Sequence, residues 1–193
     1  MRVKKSTYII QFLIIAALYA GITIAEQFTV GMTKDIIQVR LSDALTVLPV
    51  FTPAAIPGLF AGCLVSNYVI GCQTYDVIFG SLATLAGAIG TYILRKHKFM
   101  APVPPILINM ITIPLLFTYV YRYEDSFWYY VIAIGIGQLI ACGVLGIALM
   151  LGLEDHKEKL FPSGITATTD ETETKEEKDE TSSDEIKDNV TGE

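Results

Sequence analysis

Four stretches of this chain are apolar over the thickness of a bilayer, and this sets the solvent in which it folds. A helix crosses a hydrocarbon core of about 30 Å with about 20 mainly apolar residues. Residues 8–28, 76–94, 101–121 and 128–153 meet that requirement. The charges are segregated as well. Residues 154–193 hold 14 Asp/Glu and 5 Lys/Arg, whereas residues 1–153 hold 6 and 9. The acidic balance therefore belongs to a tail. The first 153 residues are basic and nearly saturated with apolar side chains, which excludes an ordinary soluble domain, where polar residues must cover the surface. There is no basic stripe to neutralise phosphates, so nucleic acid is not an expected partner.

The first apolar stretch follows a basic start at Arg2, Lys4 and Lys5, as a secretory leader would. Its apolar length exceeds that of a leader, and Glu26-Gln27-Phe28 is a poor cleavage site, so a retained span is expected. Residues 41–70 carry Pro49, Pro53 and Pro57. They fit either one long kinked helix or two short helices broken around Thr52-Pro53. Basic residues collect in cytoplasmic loops. With two helices here, the N-terminus, the loop holding Arg95, Lys96 and Lys98, and the segment with Lys157 and Lys159 all fall on one side. Lys34, Arg40 and Arg122 fall on the other. With a single helix, the Arg95–Lys98 loop would lie opposite the N-terminus. The expected fold is therefore an all-α membrane protein: a six-helix transmembrane bundle, with helices 2 and 3 short and proline-broken, and both termini cytoplasmic. Residues 1–153 form the bundle, and residues 154–193 form a disordered acidic tail that lacks apolar residues to bury.

Polar residues inside spans are costly and mark function or pairing within the bundle. In the six-span arrangement Glu26 ends span 1 on the outer side. Gln38, Arg40, Ser42 and Asp43 lie where span 2 begins, Asn67 lies near the outer end of span 3, and Tyr75-Asp76 opens span 4. Segments distant in sequence thus bring polar groups to one depth. The plainer reading pairs Arg40 with Asp43 or Glu26 and uses Asp76 as a helix cap. Asn109 and Gln138 sit deeper, where each can serve as a hydrogen bond between helices. A pocket of carboxylates, an arginine, amides and aromatics suits a small planar polar molecule. A carboxylate accepts two N–H bonds from a guanine-like edge, an amide meets its carbonyl, and a ring stacks on its face. Tyr119, Tyr121, Tyr123, Phe127, Trp128, Tyr129 and Tyr130 flank the fifth and sixth spans, as an interfacial belt or as a source of such a ring.

No G-x-x-x-x-G-K-[ST] phosphate loop occurs, nor H-E-x-x-H, nor G-x-S-x-G. The chain is not expected to be an enzyme or to carry a cofactor. Cys63, Cys72 and Cys142 form no C-x-x-C pair, and with only His97 and His156 no metal-ligand cluster is expected; the three thiols read as small buried hydrophobes. Ala16 and Ala20, with Ala17 and Gly21 on an adjoining face, form a small-x-x-x-small pattern that lets another helix approach, within this chain or from a partner.

Three runs resemble the QueT family of queuosine-precursor transporters. They are Ile37-Gln-Val-Arg-Leu-Ser-Asp-Ala-Leu-Thr-Val-Leu-Pro49, then Thr52-Pro-Ala-Ala-Ile-Pro-Gly58 with Gly62-Cys-Leu-Val-Ser-Asn67, and Tyr75-Asp-Val-Ile-Phe-Gly-Ser-Leu-Ala-Thr84. The similarity covers about residues 8–152. Asp43 departs from it, since the family pattern R-[IL]-S-E-A-L carries a glutamate there. The resemblance implies a substrate-binding S component of an energy-coupling factor transporter. Such a subunit is a six-helix membrane protein that takes a 7-deazaguanine-type solute from the outer side and works with a transmembrane coupling protein and two ATPases. Ala16 and Ala20 match the first-helix motif that faces the coupling protein. The resemblance also assigns roles. Asp43 or Glu26 holds the amino-pyrimidine edge, Asn67 and Gln38 the carbonyl or ring nitrogens, Arg40 a carboxylate, and Asp76 an aminomethyl group. Two rivals are a stand-alone proton-coupled carrier working through Asp43, Asp76 or Glu26, and a non-transporting scaffold whose tail binds a partner.

Overall fold

A computed structural model describes residues 5–29, 40–122 and 124–155. Residues 156–193 of the acidic tail, among them His156, and Lys34, Gln38 and Tyr123 lie outside the described residues, while Glu154, placed in the tail by sequence, ends the last helix. Every element among the described residues is helical, and none is a strand. The helices are α1 (Lys5–Thr29), α2 (Leu41–Val50), α3 (Ala55–Ile70), α4 (Asp76–Ile93), α5 (Lys98–Val120) and α6 (Phe127–Glu154). Helices α1, α4, α5 and α6 are long and apolar enough to cross a membrane, as the hydropathy of the sequence led us to expect. Helices α2 and α3 have 10 and 16 residues and are the short pair.

Helix α1 buries one stripe, Gln11, Ile15, Tyr19 and Thr23, at a strict four-residue spacing. Its opposite side exposes Ile10, Leu13, Ile14 and Leu18, apolar side chains suited to lipid. The buried stripe packs on α3, which meets it with Gly58 and Gly62. A Cβ at Gly62 would come within 2.8 Å of both the Ala16 carbonyl oxygen and the Tyr19 Cβ. At Gly58 it would lie 3.1 Å from the Phe12 carbonyl oxygen. The two glycines thus form a groove into which the α1 backbone settles, the close approach that small residues allow between helices in a bilayer.

Helix α2 is wound tightly as a 3-10 helix over its full length. Such runs rarely exceed three or four residues because their hydrogen bonds are poor. Here burial sustains it: Ser42 through Pro49 are all shielded, and α2 packs against α1, α4 and α6. Gly146 of α6 gives it room, since a Cβ there would meet Val47 Cγ1 at 2.9 Å. The apolar core formed around it joins Tyr19, Val47, Leu48, Phe51, Leu59, Cys63 and Met150. Thr52 holds the short link to α3. Its hydroxyl donates to Gln11 Oε1 at 2.8 Å and accepts the Ala54 N–H at 3.3 Å. Pro53 lies in this link and Pro57 in the first turn of α3, positions where a missing N–H costs little.

Helix α3 ends at Gly71, whose φ of 82° lies in the left-handed region that glycine enters without strain. Its N–H bonds the Tyr68 carbonyl at 3.1 Å, and the Cys72 N–H bonds the Asn67 carbonyl at 3.0 Å, which closes the last turn. Segments of α4 (Asp76–Gly80), α5 (Leu116–Val120) and α6 (Leu139–Leu145) widen into π-helical winding. At the other end of the bundle an ion pair between Lys98 and Glu154 ties the start of α5 to the end of α6.

Candidate functional site

Polar side chains gather where α1 ends and α2 begins. Glu26, in the last turn of α1, accepts the Leu41 N–H with both carboxylate oxygens, at 3.3 and 3.1 Å. This is the free N–H at the start of a helix, so a carboxylate there both caps it and complements its dipole. The contact fixes Arg40, the residue just before α2. Arg40 donates to Asn67 Oδ1 at 3.1 Å, which joins α2 to the last turn of α3. Asn67 reaches the Asp76 carbonyl at 3.5 Å, which joins it to the start of α4. The Asp76 carboxylate interacts in turn with the Tyr121 hydroxyl beyond α5. Glu26, Arg40, Asn67 and Asp76 are thus brought to one end of the bundle by contacts running from α1 to α5.

Arg40 is half-buried, and no carboxylate among the described residues lies within ion-pair distance of it. The alternative pairing with Asp43 or Glu26 is not observed among the described residues; the guanidinium turns to Asn67, and Glu26 to the Leu41 N–H. A guanidinium does not lose its proton in a protein, so Arg40 stays a cation. Of its five donors, one is engaged in a side-chain hydrogen bond among the described residues.

Asp43 lies one turn further along α2 and is 2% exposed. Its carboxylate is held from two sides. Tyr19 of α1 donates to Oδ1 at 2.8 Å, and Gln138 of α6 donates through Nε2 to Oδ2 at 2.7 Å. Gln138 Oε1 accepts from Asn109 Nδ2 at 3.2 Å and from the Cys142 thiol at 3.1 Å. The Asp43 carbonyl accepts from Thr46 at 2.6 Å, and the Cys142 sulfur, whose one proton goes to Gln138, lies 3.4 Å from it. Three helices, α1, α2 and α6, therefore meet at one buried carboxylate, and α5 joins them through Gln138. Beside Asp43, Ser42 is fully buried, and its hydroxyl has no hydrogen-bond partner among the described residues.

Among the other residues singled out from the sequence, Tyr75 is exposed and stacks on Phe79, with ring centroids 6.5 Å apart, rather than joining this cluster. Ala16 and Ala20 are half-buried along the seam with α3. Among the aromatics, Tyr119 and Trp128 are strongly exposed, while Phe117 packs edge-on against Tyr130 at 5.3 Å. Cys63 and Cys142 are buried, whereas Cys72 is only half-buried because it follows the cap that ends α3; all three are free thiols. Burial pushes the Cys72 thiol up. Among the described residues no group of His, Cys, Asp and Glu is arranged to hold a metal.

Tyr19 escaped notice in the sequence because a tyrosine in an apolar helix reads as packing. Gln138 and Asn109 were visible as intramembrane amides, and their signal was the cost of leaving them unpaired in lipid. Their partner in α2 was not.

The model of a family described as QueT transporter matches residues 9–155. No curated protein and no solved structure matches the chain. The match covers the whole of the apolar part, and the chain belongs to the QueT transporter family. It is a multi-pass membrane protein of a transporter family, with a small-molecule substrate and the lipid bilayer as its surroundings.

Proposed function

We propose that this member of the QueT transporter family binds a queuosine precursor of the 7-deazaguanine type at the end of the bundle where α1 meets α2, and delivers it inward as the substrate-specific subunit of an energy-coupling factor importer. One observation carries this reading: Glu26, Arg40, Asn67 and Asp76, from segments up to 50 residues apart in sequence, are linked in a chain of contacts at one end of the bundle, one turn from the buried carboxylate of Asp43. Such a cluster offers acceptors for an amino-pyrimidine edge and a cation for a carbonyl or carboxylate. Glu26 or Asp43 takes the donor edge, Asn67 and Arg40 the acceptors of the solute, and Asp76 an aminomethyl group. Gln38 belongs to the same region by sequence, and Tyr75 supplies an aromatic face near its rim.

The positive-inside pattern supports placing this end outside, with the termini in the cytoplasm. The absence of a phosphate-binding loop in the sequence fits an engine carried on other chains: two ATPases and a membrane coupling protein that meets the part of Ala16 and Ala20 left exposed beside the seam with α3. The test is to purify the chain from cells and identify by mass spectrometry what travels with it. A 7-deazapurine supports the reading, and a different solute overturns the substrate class. Uptake by vesicles that hold this chain alone, driven by a pH gradient, would instead favour the stand-alone carrier. Removing residues 164–193 should leave uptake intact; its loss would favour the scaffold reading.

A further inference from the structure

The buried amide of Gln138 is fixed at both ends. Its nitrogen donates to Asp43 Oδ2 at 2.7 Å, and its oxygen accepts from Asn109 at 3.2 Å and Cys142 at 3.1 Å. Rotating the amide by half a turn would set its oxygen against the carboxylate and its NH2 against two donors. Only one orientation satisfies all four groups. Every donor in this network points, directly or through Gln138, toward Asp43. Tyr19 adds the last one, to Oδ1 at 2.8 Å. With one protein donor on each oxygen, the plane of the carboxylate is set, and one further lone pair on each oxygen is left over. Gln138 sits at the point where α6 passes from α-helical to π-helical winding, a distortion that recurs at functional sites.

We infer that Gln138 is a specificity-determining positioning residue: held by Asn109 and Cys142, it orients the Asp43 carboxylate so that its remaining lone pairs read the paired N–H donors of the solute's amino-pyrimidine edge. This rests on the reading of Asp43 as part of the solute site. Gln138 need not touch the solute. It acts through Asp43, and its contribution falls on one feature of the solute, the exocyclic amino group beside a ring N–H. Without Gln138 the carboxylate is tethered by Tyr19 alone and turns about its Cβ–Cγ bond, so a second donor on the solute no longer meets a second acceptor.

The experiment pairs protein variants with ligand analogues. The purified full chain in detergent is titrated calorimetrically with 7-deazaguanine and with 7-deazahypoxanthine, which lacks the 2-amino group. The wild-type chain is expected to prefer 7-deazaguanine by at least tenfold. In Gln138→Leu that preference is expected to shrink to within about twofold, with affinity for 7-deazahypoxanthine little changed. Asn109→Leu, which leaves the Gln138 amide held by Cys142 alone, is expected to fall between the two and guards against misfolding of the first variant. A general packing defect would weaken both ligands equally, and that result in both variants overturns the inference. Full retention of the preference in Gln138→Leu overturns it as well. Failure of the wild-type chain to bind either compound overturns the solute assignment above and this inference with it, whereas wild-type selectivity that survives both substitutions overturns this inference alone.

Discussion

The Tyr19 hydroxyl donates to the Asp43 carboxylate at 2.8 Å, and this bond fastens the long first helix, α1, to the short 3-10 helix α2. Both groups are shielded from solvent, Tyr19 completely. Removing one partner of a buried charge-assisted bond leaves the other with an unmet demand. Tyr19→Phe keeps the ring and deletes only the donor. It should destabilise the protein by about 1–3 kcal/mol, read as a lower thermal midpoint in detergent, and should weaken solute binding.

Close contact between α1 and α3 depends on the bare backbone of α3. Gly62→Val would drive two methyl groups toward the Ala16 carbonyl and the Tyr19 Cβ, each already 2.8 Å from a Cβ at that position. We expect a loss of about 1–3 kcal/mol from overpacking, together with displacement of Tyr19 from Asp43. Gly21 serves as the control, because a Cβ there meets nothing within 4 Å. Gly21→Ala should leave the thermal midpoint unchanged or raise it, given the higher helix propensity of alanine. Equal loss in both variants would contradict the account of the seam.

Arg40 and Asn67 should behave as one unit. Arg40→Ala and Asn67→Ala are each expected to weaken solute binding. The double variant should cost less than the sum, with a coupling of about 0.5–3 kcal/mol, as is usual for residues in direct contact. Arg40→Lys is not a substitute, since a point-like ammonium cannot reproduce the guanidinium fork that reaches Asn67 while leaving donors free. Additive effects in the cycle would separate the two residues.

The three thiols should differ toward a membrane-impermeant maleimide. Cys63 and Cys142 are buried among α2, α3 and α6 and should resist it in the folded protein. Cys72 is half-buried beyond the end of α3 and should be labelled. Burial raises its pKa above the ordinary thiol value, so little thiolate exists at neutral pH. The rate should climb by about tenfold per pH unit from pH 7 upward, because the thiolate is the nucleophile. Labelling in intact cells tests the proposed orientation, in which Cys72 faces outward; labelling only after the membrane is broken would reverse it.

The helices were legible in the sequence because hydropathy needs no knowledge of packing. The helices long and apolar enough to span match apolar windows to within a few residues at their ends, and the charge distribution argued for splitting residues 41–70 into α2 and α3. Polar residues at helix ends were legible for a related reason: Glu26, Arg40, Asn67 and Asp76 stand out against an apolar background, and alternation of direction puts them at one end. The partners were not legible. Asp43 and Gln138 are 95 residues apart, and their contact depends on the rotation of α6 about its own axis, which no local pattern encodes. Arg40 meets the Asn67 amide rather than a carboxylate, and Glu26 meets a backbone N–H, pairings visible only in three dimensions. Similarly, Ala16 and Ala20 drew attention to the α1 side of a close helix contact, while the residues that make the contact possible, Gly58 and Gly62, lie on the partner helix.

The central claim is that the carboxylate of Asp43 belongs to a solute receptor rather than to a structural knot. Asp43→Asn keeps the shape and, through its amide oxygen, the Tyr19 contact, while removing the charge and turning an NH2 toward the Gln138 amide. Calorimetry of the purified chain with 7-aminomethyl-7-deazaguanine should show tight binding by the wild-type protein and a loss of about tenfold or more in the variant, the scale expected when a charged hydrogen-bond acceptor is removed. Unchanged affinity in a variant with an unchanged thermal midpoint would contradict the claim.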